Sequence, residues 1–151
     1  MFGQMLDAED EREIRFLMGH YVHYLDGEQG KEWAGLFAED GQWLGGNVAP
    51  AAKGGSGLDA GNPKGRAALE ALVYRAITQN FRSLSRHMIT DLVLWRDASD
   101  HDIAHGRGRM FITDWRDGPG KISMSGSYVF LFARTPEGWR ISTLRASFLP
   151  T

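Results

Sequence analysis

The chain has 151 residues, of which 42% are hydrophobic and 24% charged, with a formal net charge of −2 and a pI near 6.2. That length suits a single domain, residues 1–151, with a real core, and the mild negative charge leaves no basic footprint for nucleic acid. The sequence has no cysteine, which excludes disulfides, thiolate zinc sites and cysteine nucleophiles together and is compatible with a reducing cytosol.

No apolar run approaches the ~20 residues that a membrane span needs. The opening stretch MFGQMLDAEDERE has no secretory h-region. The chain is expected to be cytoplasmic and to engage no membrane.

The first predicted element is a helix over Asp7–Asp26. Its acidic start (Asp7, Glu9, Asp10, Glu11) suits the positive end of the helix dipole. Ile14, Leu17, Met18, Tyr21 and Leu25 form one apolar stripe at helical spacing. Tyr24 and Asp26 flank the end of that stripe, where Gly27 can stop the helix. A shorter helix is predicted at 30–38, with Trp33, Leu36 and Phe37 on its apolar side. GQWLG, residues 41–45, then reads as a brief strand.

Residues 45–65, GGNVAPAAKGGSGLDAGNPKG, hold seven glycines and two prolines and scarcely any large apolar side chain. The stretch reads as a flexible surface insertion or a lid, and residues 46–62 are expected to be the least ordered internal segment. It is not a phosphate cradle, because GLDAGNPKG has neither the spacing nor the hydroxyl of a Walker motif. Asn62 and Pro63 supply an N-cap and a first-turn proline. The helix they open is predicted to reach about Phe81, with Leu69, Leu72, Val73, Ala76 and Ile77 along one face.

Only strands follow: 86–95, roughly 103–115, 122–134 and 139–148, separated by the turn signals RDASDHD, RDGPGK and TPEG. In the first of them Ile89, Val93 and Trp95 share a parity that also carries His87 and Asp91, while Met88, Leu92 and Leu94 take the other. In the third, Ile122, Met124, Tyr128, Phe130 and Phe132 share one face. Helices first and an antiparallel meander afterwards predict an α+β fold with helices on one face of a curved sheet. The second, half-apolar face is then left for another subunit, and a homodimer is the economical answer.

Three local signatures, YLDGEQGKEWAGLFAEDGQW, the histidine in SRHMITD and GSYVFLFARTPEGWRIS, sit in this order of elements. Together they resemble the SnoaL-like branch of the nuclear-transport-factor-two-like superfamily, most of all its scytalone dehydratase and dehydrochlorinase members. The resemblance spans nearly the whole chain apart from the glycine loop. It implies a cone: a curved antiparallel sheet with three N-terminal helices packed on its concave face, around a small-molecule pocket.

Members with elimination chemistry use an aspartate at the end of the first helix to hold a histidine on the sheet. The resemblance puts these at Asp26 in YLDG and His87 in SRHMITD. Imidazole changes charge near neutral pH, and a carboxylate on one ring nitrogen fixes the tautomer so that the other is free as a base. The pocket wall is expected to include Tyr24, Trp43, Val73 and Ile89. A histidine on a strand is by default a hydrogen-bonded core or rim residue, and an aspartate at a helix turn by default bonds backbone amides; it is the pairing that points to catalysis. Departures from the dehydratase pattern are Leu25 where a tyrosine precedes the aspartate, no tyrosine near Trp43, Leu44 and Gly45, and Ser123 and Ser125 where a second histidine stands.

No cofactor and no metal are expected. His20 and His23 lie three apart but lack a carboxylate in register, and His101 and His105 flank a turn and read as solvent-exposed. Arg107 and Arg109 share a strand parity and read as partners of surface carboxylates. Two functions fit: a cofactor-independent lyase (dehydratase-like elimination) or isomerase acting on a small, largely apolar cyclic substrate, with His87 as base and Asp26 as its orienter, or a non-catalytic binding or assembly module like the small subunits of aromatic-ring dioxygenases.

Overall fold

Acidic residues ahead of an apolar stripe produce the first helix. In the computed structural model, which describes residues 3–45 and 61–149, α1 runs Ala8–Asp26 and is capped by Asp7, whose side chain accepts the Asp10 N–H at 2.9 Å. The stripe Ile14, Leu17, Met18, Tyr21 and Leu25 is buried. The helix ends at Gly27, where a Cβ would meet the His23 carbonyl at 2.8 Å, and Glu28 takes the left-handed turn at φ 59.

The second helix, α2, covers only Gly30–Gly35. It stops short of the predicted 38 because the Leu36 carbonyl is taken by the Ile141 N–H at 2.9 Å, which hands the chain to a strand. That strand, β1, is Phe37–Gly45, longer than the predicted 41–45. The predicted helix start at Asn62-Pro63 also gives way to sheet contacts. Trp43 N–H donates to Pro63 O, Gly65 N–H to Gly41 O and Gly45 N–H to the Asn62 side chain. Gly65 then turns at φ 84, and α3 begins at Arg66, running to Val73 and continuing as a π-helix over Tyr74–Asn80. Most of the glycine-rich stretch, residues 46–60, lies outside the described residues.

Four long strands complete the chain: β2 (Ser85–Arg96), β3 (Ile103–Asp114), β4 (Lys121–Thr135) and β5 (Gly138–Phe148). They pair in the order β1-β5-β4-β3-β2 in a curved, unclosed sheet. The meander is antiparallel as predicted, whereas β1, which arrives from α2 rather than from a hairpin, lies parallel to β5 with Phe37 opposite Ile141. Where β4 crosses β5, Gly126 admits backbone that a side chain would exclude, since a Cβ there would sit 2.0 Å from Ser147 O.

Two bulges correct the parity expected from the sequence. In β2, Asp91 and Leu92 together oppose Gly108, because Thr90 pairs with Arg109 and Val93 with Arg107. Asp91 takes φ 53 in this bulge. Beyond it the faces exchange: Leu92 and Leu94 join His87 and Ile89 on the core side, while Val93 is 55% exposed. Asp91 points outward beside Arg109 at 3.8 Å. In β4 the extra residue Ser123 turns Ile122 out to solvent, away from Met124, Tyr128, Phe130 and Phe132.

The helices cover one face of the sheet. Between them Trp33, Phe37, Leu69, Phe130, Phe132, Trp139, Ile141 and Leu144 are fully buried, each contributing roughly 1.5–3 kcal/mol relative to exposure. At the N-terminal end of α1, buried Asp10 accepts from Arg96 and Arg134 guanidinium nitrogens at 2.7 Å and from the Trp139 indole at 2.9 Å. Arg134 also lies over the Trp139 ring at 4.7 Å. One carboxylate thus ties α1 to β2, β4 and β5.

Burial alone would raise the Asp10 pKa, but the hydrogen bonds from Trp139, Arg134 and Arg96 outweigh it and hold the carboxyl far below the usual carboxylate range. A depressed folded pKa means stability that is complete above the unfolded value of about 4 and is lost as pH falls through the folded one. Asp10→Asn is therefore expected to lower unfolding free energy in urea by about 3 kcal/mol at pH 7. The gap to the parent should narrow below about pH 4; a constant gap down to acid pH would show that the charge of Asp10 is not what stabilises.

Candidate active site

The C-terminal end of α1 delivers Asp26 to the first turn of β2. Because β2 is an edge strand, the His87 N–H has no neighbouring strand to meet, and Asp26 takes its place: Oδ2 accepts that N–H at 2.8 Å, while Oδ1 lies 2.6 Å from Nδ1 of the same residue. Both oxygens therefore grip one histidine, by its backbone and by its ring. The side chains are 7% exposed for His87 and 13% for Asp26. With neutral imidazole, an acceptor at Nδ1 requires the proton there and leaves the lone pair on Nε2. An imidazolium would be stabilised by the carboxylate and by the negative end of α1.

Two tyrosines, both placed among apolar core positions by the sequence, lie near Asp26. Tyr21 on α1 and Tyr128 on β4 are buried with ring centroids 6.1 Å apart. Burial raises the pKa of both hydroxyls well above the ordinary phenol value, and the nearby Asp26 charge pushes the same way. The Tyr21 hydroxyl shares hydrogen bonds with the Trp43 indole and the Tyr128 hydroxyl. Neither hydroxyl was singled out in the sequence. The signal was a polar-tipped ring inside each apolar stripe.

The four expected wall residues lie on four different elements, Tyr24 on α1, Trp43 on β1, Val73 on α3 and Ile89 on β2. Trp43 is buried against Tyr21, and Ile89 follows His87 on the same face of β2. Val73 is buried where α3 meets α2, beside Gly30. Tyr24 is half-buried and stacks on His20 at 4.9 Å, with Phe16 edge-on beyond it. His105 is not free as expected: it bonds Asp97 at 2.8 Å and stacks on Trp95. Among the described residues no three His, Asp or Glu side chains gather as a metal would need. A cleft of about 480 Å³ lies at the opposite end of α1, lined by Asp7, Asp10, Arg96 and Arg134, whose charges already satisfy one another.

The sequence model of one family, described as a SnoaL-like domain, matches residues 7–145. No curated protein matches the chain. Solved structures do. An NTF2-like protein with a cystatin-like fold from Novosphingobium aromaticivorans is 24% identical over 93% of this chain and 82% of its own, with a TM-score of 0.75. An aspartate-to-asparagine variant of a function-unknown protein from Mycobacterium tuberculosis is 27% identical over 90% and 74%, with a TM-score of 0.69. ActVI-ORFA from Streptomyces coelicolor is 15% identical over 91% and 96%, with a TM-score of 0.71. The first and third likenesses are of fold.

The double grip of Asp26 makes the effect of Asp26→Asn specific. The amide oxygen must stay on the His87 N–H, so the amide nitrogen faces Nδ1 and donates to it. The imidazole proton then moves to Nε2 and the free lone pair is lost, with the fold intact. Nitrogen-15 NMR of the neutral imidazole should show the Nδ1–H tautomer in the parent and the Nε2–H tautomer in the variant; one tautomer shared by both would refute this account of Asp26.

Proposed function

The chain belongs to the SnoaL-like domain family, and from that premise we propose that it is a cofactor-independent lyase or isomerase acting on a small, largely apolar cyclic substrate. The observation that carries the reading is the Asp26 carboxylate 2.6 Å from Nδ1 of His87, an arrangement that frees Nε2 to act as a base. The family is often catalytic, and it also holds members of unknown function.

In this reading Nε2 of His87 takes a proton from the carbon beside a substrate carbonyl. The C–H electrons move into an enolate, whose oxygen accepts a hydrogen bond from the Tyr128 hydroxyl. Raised pKa values keep the tyrosines neutral donors, and a donor aimed at developing charge contributes roughly 100- to 1,000-fold. Asp26 stabilises the imidazolium. For elimination, the enolate expels a β-hydroxyl that collects the proton from Nε2 and leaves as water. For isomerisation the same proton returns to a different carbon. Either route restores neutral His87 without an external reagent. Trp43, Ile89, Val73 and Tyr24 are assigned to the wall of the binding space.

The proposal takes the chain as one cytoplasmic domain and gives the outer sheet face, where Met88, Val93 and Val129 are exposed, to a second copy. Light scattering at micromolar concentration should then report twice the 16.8 kDa chain mass, and a strict monomer would remove the dimer from the reading.

The chemistry is tested with a panel of cyclic β-hydroxy ketones in deuterium oxide. Proton NMR should show exchange at the α-carbon or loss of water with the parent, reduced at least ~100-fold in His87→Ala with melting unchanged. Ligand-detected binding with no exchange by the parent would favour a binding module instead.

A further inference from the structure

The segment that leads into His87 is built against the preferences of its own residues. After Val73 the helix widens into the π form over Tyr74–Asn80, with the Phe81 N–H reaching back five residues to Ala76 O at 3.0 Å and the Ser83 N–H reaching Ile77 O at 2.9 Å. π-Helical turns are rare and concentrate at functional sites. Arg82 and Ser83 follow at φ 50 and φ 59, two consecutive non-glycine residues in the left-handed region, each at a cost of about 1 kcal/mol or more. The Asn80 side-chain nitrogen and the Ser85 hydroxyl, one at each side of this turn, are buried without a partner. These unfavourable features accumulate within twelve residues and end two residues before His87.

The same stretch is held down from outside by the turn after β3, where the Trp115 N–H donates to Leu84 O at 2.9 Å. Arg116, from the turn after β3, donates to Asn80 O at 2.9 Å and lies over the Phe81 ring at 4.9 Å, while its other nitrogens grip Asp114. Meanwhile His87 is 7% exposed and Asp26 13%, too little for a ring-sized molecule to reach Nε2 unless something moves. Local strain at a buried site is kept where an element must change arrangement.

We propose that Tyr74–Leu84 is a gate: it opens locally to admit substrate to His87 and is latched shut by Arg116. Its use in catalysis rests on the reading above, but the opening itself does not. On opening, the π-helical bonds and the Arg116 contacts are broken, the left-handed pair relaxes, and Asn80 and Ser85 reach water. Opening also uncovers Ile77 and Phe81, which are buried in the closed form, so the closed arrangement is the resting one. The β3–β4 ladder behind the segment stays closed.

Two measurements on the full chain test the gate without a substrate. In hydrogen exchange, the amides of Phe81, Ser83 and Leu84 should exchange about 100-fold faster than those of the β3–β4 ladder, through sub-global opening. In carbethoxylation by diethyl pyrocarbonate, followed by mass spectrometry, His87 should react more slowly than exposed His101. Arg116→Lys keeps a cation for Asp114 but loses the planar contacts, so it should speed His87 modification about tenfold and leave His101 unchanged. Ser83→Gly relieves a left-handed residue and should slow it. The proposal is overturned if His87 reacts as fast as His101, if residues 81–84 exchange only with global unfolding, or if neither variant shifts the His87 rate. Loss of ketone exchange in His87→Ala is independent of all these readouts, so each reading can fail alone.

Discussion

The structure depends on how one helix is fastened to one edge strand. Asp10 and Asp26 stand near opposite ends of α1 and hold Arg96 and His87, near opposite ends of β2. Sixteen helical steps span roughly 24 Å, and nine extended residues would span roughly 30 Å; the bulge at Asp91 and Leu92 and the curvature of the sheet shorten the strand to fit. A slip of one residue would release both pairs at once. The two fastenings differ in kind. Asp10 is saturated by guanidinium and indole donors, whereas Asp26 holds a group that can change its charge.

That difference distinguishes the two ends of α1. At the Asp10 end Asp7, Asp10, Arg96 and Arg134 are paired with one another. At the Asp26 end the polar groups are a histidine with one nitrogen committed and two tyrosines kept protonated by their surroundings.

Much of this was legible in the residues. The stripe from Ile14 to Leu25 and the turn signals placed α1 and the four long strands within a residue or two. The side-chain facing of β2 was not legible beyond Thr90, because a bulge adds one residue without any change in composition, and Asp91 looks like any strand-end aspartate. The α2–β1 boundary was set by Ile141, far away in sequence. The π-helical stretch is composed like an ordinary helix end. Asp26 and His87 were found only by adding the resemblance to the pattern, since each has a bland explanation alone. Tyr21 and Tyr128 were read as core because their rings are core; their hydroxyls are what the apolar pattern does not report.

The parallel pairing of β1 with β5 has a bearing on how the molecule is made. Phe37 can meet Ile141 only after every intervening strand has left the ribosome, so α1, α2 and β1 wait with their apolar faces uncovered during synthesis. Long-range pairing of this kind slows folding and lengthens the time in which an unpaired strand edge is available to other chains. Glu39 and Asp40, exposed in the middle of β1, place two like charges on that waiting edge, where they discourage other chains from adding to it.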